Sequence, residues 1–266
     1  MTEAAAQPDI FSRLSLLVGA PGVETLSHRR VLVCGLGGVG SWAAEALARS
    51  AIGHLAILDF DTIRASNLNR QLHALHSTLG LPKTEAMARR LLDINPGLDL
   101  EQLDVRLDEE NAATIVASRP WDYVIDAIDE RRAKLALLSA CLSDGVPVVS
   151  SLGSASKLLA GLVTVADISE TYGCPLAKVI RKALKRRGYD TGLRVVYSPE
   201  LPVLAEQSSS PEQPGERRPL GTIAYMPALF GLRCAAEVLD HLLAGQAHPR
   251  RGETPRQTSS SPSPQP

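Results

Sequence analysis

The sequence predicts an α/β protein built on a doubly wound, mostly parallel sheet, and three observations carry that expectation. The stretch "VLVCGLGGVGSWAAEALARS", Val31 to Ser50, joins a β-branched apolar run to a glycine cluster and then to an Ala-rich helical pattern. Further short apolar runs, "HLAILDF", "DYVIDAID" and "PVVSSLG", alternate with helical stretches, the pattern of βαβ units around a parallel sheet. A chain of 266 residues that is 44% hydrophobic can also bury the core such a sheet needs.

Taken in order, "RVLVCG" is a first strand and "HLAILDF" a second. "KTEAMARRLLDIN" is a helix, because Met87, Leu91 and Ile94 recur on one face. "DYVIDAID" is taken as the fourth strand, and "PVVSSLG" follows it. Past Gly153 the runs "LVTVADI" and "LRVVYS" are strands around a basic helix in "CPLAKVIRKALKRRG", and Met226 to Ala244 is a closing helix. "SSSPEQPGERR" is a polar loop by composition, and residues 246–266 are a Pro/Ser-rich tail expected to be disordered. The expected organisation is one domain over 1–245, with a nucleotide-binding half over about 28–153 and a substrate-side half over about 154–245.

A net charge of -1 offers no global basic field, so any contact with nucleic acid must come from a local patch. The start "MTEAAAQPDIFSRL" lacks a signal-peptide pattern, and no apolar run is long enough to span a bilayer. No membrane association and a cytoplasmic setting are therefore expected. The cysteines, 34, 141, 174 and 234, form no C-x-x-C pair, so neither a zinc site nor a disulfide framework is expected.

Gly35, Gly37 and Gly40 fit G-x-G-x-x-G between a strand and a helix, with Gly38 inside the turn. Glycine lets backbone approach phosphate, and a helix N-terminus supplies N–H donors. Asp59 ends the second strand, where a carboxylate takes ribose hydroxyls. Alone, this is a Rossmann-like nucleotide site that favours NAD. The next residues point elsewhere. "DFDTIRASNLNRQ" gathers Asp61, Asn67, Asn69, Arg70 and Gln71 in one polar loop, and Lys83 begins a helix in "GLPKTEA". Cations there suit a polyphosphate better than a nicotinamide. Asp126 and Asp129 end the fourth strand over the ligand crevice, a usual place for Mg²⁺ ligands. Singly, each has a plainer use: Arg70 and Lys83 as solvated charges, Asp126 as a helix cap.

"GLGGVGSWAAEALARSAIG", "LDFDTIRASNLNRQLHAL", "GLPKTEAM" and "VIDAID" resemble the adenylating ThiF/MoeB/HesA superfamily, which has the ubiquitin-activating fold. Within it, "VADISETYGCPLAKVIRKALKRRG", "LRVVYSPE" and "LGTIAYMPALFGL" are similar to the tRNA threonylcarbamoyladenosine dehydratases, over roughly Phe11 to Ala244. The resemblance implies ATP and Mg²⁺ rather than NAD, and adenylation of the threonyl carboxylate beside the tRNA anticodon, followed by ring closure with net loss of water. It implies that Gly35 to Gly40 hold phosphate, Asp59 holds ribose, and Asn67, Arg70 and Lys83 hold and polarise the phosphate chain. It also implies that Asp129 binds Mg²⁺ with Asp126 in support, and that Arg13 reaches into the site of a partner subunit in a homodimer. Ile10 stands where related sequences often carry a first arginine, and "SLGSASKLLA" lacks the Asn that relatives usually place before the lysine. A monovalent cation and a sulfur-relay protein partner are left open.

Cys174 begins a helix, where a thiolate would be stabilised; it is a transfer thiol or a small cap residue, and a ring closure needs no transfer thiol. Lys178, Arg181, Lys182, Lys185, Arg186 and Arg187 share one helical stretch, either a solvated face or a tRNA contact. Two other functions remain open from sequence. One is an adenylyltransferase activating a sulfur-carrier or ubiquitin-like protein. The other is a non-catalytic, nucleotide-dependent adaptor for tRNA or protein.

Overall fold

The computed structural model describes residues 10–203 and 220–245; the polar loop and the tail singled out in the sequence lie outside them. In chain order the elements are α1 (Ser12–Ser27), β1 (Arg30–Cys34), α2 (Gly40–Ala48), β2 (His54–Leu58), α3 (Lys83–Ile94), β3 (Asp99–Leu103), α4 (Ala112–Ala117), β4 (Tyr123–Asp126), α5 (Arg131–Asp144), β5 (Val148–Ser151), β6 (Thr164–Asp167), α6 (Pro175–Lys185), β7 (Arg194–Tyr197) and α7 (Tyr225–Leu242).

Among the described residues, seven strands form one sheet in the order β3-β2-β1-β4-β5-β7-β6. Every pairing is parallel except β6 with β7. The two halves expected from the sequence thus share one sheet through the β5–β7 ladder. Side chains alternate across each strand, and the core divides accordingly. Val31, Val33, Tyr123, Ile125 and Val196 pack on one face with residues of α2, α3 and α7. Leu32, Cys34, Val124 and Val195 pack on the other with α4, α5 and α6. This is the doubly wound α/β arrangement the sequence predicts.

β3 is not among the apolar runs of the sequence. Its residues "DLEQL" are half-polar and none is fully buried, because it is an edge strand held by its ladder to β2. α1 is kinked at Gly19, whose φ of 76° precedes Pro21. The strand order reverses between β1 and β4, so the crevice for a ligand lies outside their carboxyl ends.

Candidate functional site

The glycine turn closes β1. Gly35 has φ +91°, and a Cβ there would stand 2.9 Å from the Ala127 carbonyl oxygen, so only glycine lets the turn lie against the end of β4. Gly40 is tighter still, since a Cβ would fall 1.7 Å from the Gly35 oxygen. Gly37, by contrast, faces open space. The turn has a closed base and an open mouth, and the first turn of α2 begins just beyond it.

Asp59 stitches β2 to this turn. Its Oδ2 accepts from the Leu36 amide at 2.7 Å and its Oδ1 from the Asp61 amide at 2.9 Å. Lys83, at the start of α3 and 6% exposed, places Nζ 3.4 Å from Asp59 and 3.0 Å from Asp61. The sequence leaves Lys83 with a solvated alternative; the structure removes it. Arg70 lies across the mouth, because a Cβ on Gly38 would meet its Cγ at 3.2 Å. Its guanidinium donates to the Ser66 carbonyl and to Asn69 Oδ1. Asn67 caps its own turn, accepting from the Arg64 amide through Oδ1 at 3.0 Å. Asn69 donates to the Thr222 carbonyl at 3.0 Å, which ties the polar loop to the segment entering α7.

The two aspartates at and just past the end of β4 have opposite surroundings. Asp129 is exposed and makes no hydrogen bond or ion pair among the described residues. A single free carboxylate at the strand end fits Mg²⁺, a hard cation that takes one or two carboxylates and completes its shell with substrate phosphate and water. Asp126 is placed to support Asp129 through the backbone of the turn and not as a metal ligand. It is fully buried, its Oδ2 takes Lys134 Nζ and the Ser150 hydroxyl, each at 2.6 Å, and its Oδ1 takes the Ile128 amide at 3.1 Å. A carboxylate sealed by an ammonium has no face left for a metal.

Arg13 is exposed on α1 and has no hydrogen bond or ion pair among the described residues. The basic stretch proves mixed. Lys178, Lys182 and Arg186 are exposed on α6 and its cap. Arg181 instead donates to the Thr171 carbonyl and hydroxyl at 2.7 and 2.6 Å. Arg187 donates to Leu135 and Ser139 of α5 at 3.0 and 2.6 Å, and Lys185 lies 3.5 Å from Asp190. The six cations are therefore not one uniform patch: Arg181 and Arg187 hold the helix to the body. Cys174 is buried at the start of α6, where a Cβ on Gly153 would stand 3.7 Å from its sulfur. Cys34, Cys141 and Cys234 are buried in β1, α5 and α7; burial raises the Cys141 thiol to about 12.

The profile of the ThiF family matches residues 11–260. The chain belongs to the ThiF family. It is 39% identical over 240 residues to a tRNA threonylcarbamoyladenosine dehydratase of Bacillus subtilis, covering 88% of this chain and 94% of that one. The crystal structure of Escherichia coli tRNA N6-threonylcarbamoyladenosine dehydratase in complex with ATP superposes with a TM-score of 0.81 at 32% identity, over 92% of this chain and 98% of that one. The molybdopterin-synthase adenylyltransferase of Salmonella typhimurium matches more narrowly, 37% identical over 153 residues and 58% of this chain. Among the described residues, no helix of this ThiF-family chain is long and apolar enough to cross a membrane.

Several buried polar groups of this ThiF-family chain have surroundings that the sequence does not reveal. Lys134 stands in an otherwise ordinary helix, and only the fold reveals that it is fully buried. Among the described residues, His73, 2% exposed, has neither ring nitrogen hydrogen-bonded, and Gln71 Oε1 has no partner either. Burial first, then Lys83 and Arg90, lowers the His73 imidazole to about 4, so it is neutral near pH 7. Lys157 is buried in the loop after β5 and donates to the Ser198 and Glu200 carbonyls at 2.7 and 2.6 Å. Burial lowers its pKa, against the pull of Cys174 and Glu200. The lysine of "SLGSASKLLA" thus anchors the loop after β7.

Proposed function

We propose that this chain catalyses the ATP-dependent dehydration of threonylcarbamoyladenosine in tRNA. One observation carries the reading: the likeness to the dehydratases spans both halves of the sheet. The likeness to a molybdopterin-synthase adenylyltransferase covers 58% of the chain, which makes activation of a sulfur-carrier protein the weaker reading. A non-catalytic adaptor would have no need for the exposed, unpartnered carboxylate of Asp129 just past β4.

A carboxylate is a poor acyl donor because oxide is a poor leaving group. An oxygen of the threonyl carboxylate attacks the α-phosphorus of ATP. The new P–O bond forms as the bond to pyrophosphate breaks. A nucleophile within the same modified base then attacks the acyl carbon, the ring closes and AMP leaves. The substrate carries its own nucleophile, so the protein contributes orientation and charge neutralisation. Asp59 takes the ribose, the mouth at Gly37 takes phosphate with Asn67, and Arg70 and Lys83 stabilise the charge that builds on it. Asp129 would hold Mg²⁺, which when bound supplies charge neutralisation on the pyrophosphate. The exposed Lys178, Lys182 and Arg186 suit tRNA phosphates. Arg13 lies beside Leu16 and Leu17, which are 81% and 78% exposed on α1. Apolar side chains so open support packing of α1 against a second copy, with Arg13 delivered to that copy's site.

The test measures AMP release from ATP with two acceptors in parallel. One is tRNA carrying threonylcarbamoyladenosine; the other is a carrier protein ending in Gly-Gly. AMP formed only with the tRNA is the expected result, and AMP formed only with the carrier would replace this reading by the second.

A further inference from the structure

Lys134 is fully buried on α5, yet its ammonium has all three of its donors engaged. Nζ lies 2.6 Å from Asp126 Oδ2, 2.9 Å from the Ser151 carbonyl and 3.2 Å from the Ser150 hydroxyl. Ser150 in turn donates to Asp126 at 2.6 Å. Asp126 ends β4 and Ser150 is its partner in the β4–β5 ladder. The network therefore begins where the backbone ladder stops, and it holds two strand ends that belong to different halves of the reaction.

On one side, Asp126 Oδ1 takes the Ile128 amide and so shapes the turn that presents Asp129. That turn is the one pressed against Gly35 and Gly40. On the other side, the Ser151 carbonyl precedes Leu152 and Gly153, which lead to Lys157, and Gly153 lies against Cys174. A buried ion pair generally adds little stability over apolar residues of the same volume. Its distinctive property here is direction: one ammonium fixes two loops relative to each other.

We infer that Lys134 is a positioning residue that couples the nucleotide turn after β4 to the substrate-side loop after β5, so that the acyl group meets the α-phosphate in register. This rests on the adenylation proposed above. Removing the lysine alone would strand a buried carboxylate and endanger folding. The test therefore uses Lys134→Met together with Asp126→Asn in the full chain. The pair removes both charges, while the carboxamide oxygen introduced by Asp126→Asn can still take the Ile128 amide. ATP affinity by calorimetry, AMP formation with modified tRNA, and hydrogen exchange of residues 152–159 are measured against the wild type.

The expected result is ATP affinity within threefold of wild type, kcat lower by about a hundredfold as reacting groups lose register, and faster exchange over 152–159. A kcat within threefold of wild type, or a loss confined to ATP affinity, would overturn the inference. Should the paired variant fail to fold, Ser150→Ala keeps both charges and carries the same test. There kcat falls several-fold with unchanged ATP affinity, and full activity would overturn the inference. Failure of the adenylation reading is distinguishable, since the wild-type protein would then form no AMP with the tRNA while the exchange comparison still reports the coupling.

Discussion

At the ends of β1 and β2, charged groups face one another across an open mouth. Lys83 reaches Asp59 and Asp61, Arg70 lies over Gly38, Gly37 is uncovered and Asp129 is free among the described residues. At the ends of β5 and β7, charges are turned inward. Lys157 is held by two backbone carbonyls, and the Glu200 carboxylate accepts the Leu158 and Leu159 amides. The first arrangement pairs its buried charges with one another and keeps the Asp129 carboxylate unpartnered among the described residues; the second uses its charges to shape backbone. Asp126 and Asp129 repeat the contrast within one turn of chain.

The sharpest way to break this contrast is at that turn. Asp129→Ala should lower AMP formation by about 10³-fold, the scale on which preorganised charge acts, with an unchanged melting temperature. Near-normal turnover would remove Asp129 from the site. Asp126→Leu should act in the opposite manner. It leaves Lys134 charged and buried, at a cost of about 3–5 kcal/mol in unfolding free energy. Denaturant unfolding reads this directly, and a midpoint equal to wild type would mean the pair is not the internal anchor described.

The buried histidine beside the mouth separates from its charged neighbours along pH. His73 titrates at about 4 in the folded chain, against an ordinary 6.5. The unfolded chain therefore binds the extra proton first, so stability falls as pH drops from about 6.5 towards 4, by up to about 3 kcal/mol. Arg90 and the Glu45 that pairs with it do not share this titration: burial works against the Glu45 carboxylate, but its bonds to Arg90 and Arg49 hold it below the ordinary value, and the bond to Glu45 raises Arg90. His73→Leu should flatten the difference in unfolding free energy between about pH 6.5 and about pH 4.5. An identical pH profile would show that the imidazole is hydrated and titrates normally.

The smallest effects are expected on α6. Changing Lys178, Lys182 and Arg186 together to Ala should reduce the log–log salt slope of tRNA binding by roughly 2–3 and leave ATP affinity unchanged. Arg181→Ala should leave that slope in place, since its guanidinium already holds Thr171. An unchanged slope in the triple variant would make α6 a solvated face.

The nucleotide side is legible in the sequence because its requirements are local. A glycine turn, a carboxylate after the next strand and a lysine at a helix start keep fixed spacings, and the fold merely closes them on Gly35. Lys134 and Lys157 are not legible as anchors, because their partners, Ser151 and Ser198, lie 17 and 41 residues away. Burial of a lysine leaves no periodic mark. Helical spacing shows which cations share the basic stretch, not which of them are already held, Arg181 by Thr171 and Arg187 by α5, so both look no different from Lys178. β3 escapes the apolar pattern because an edge strand can be polar on both faces.

The most direct test of the account is the mass of the modified nucleoside. Purified protein is incubated with Mg·ATP and tRNA carrying threonylcarbamoyladenosine, and the nucleosides are analysed by mass spectrometry. The account predicts conversion to a product lighter by one water, with one AMP released per conversion. An unchanged nucleoside mass alongside full ATP binding would contradict it.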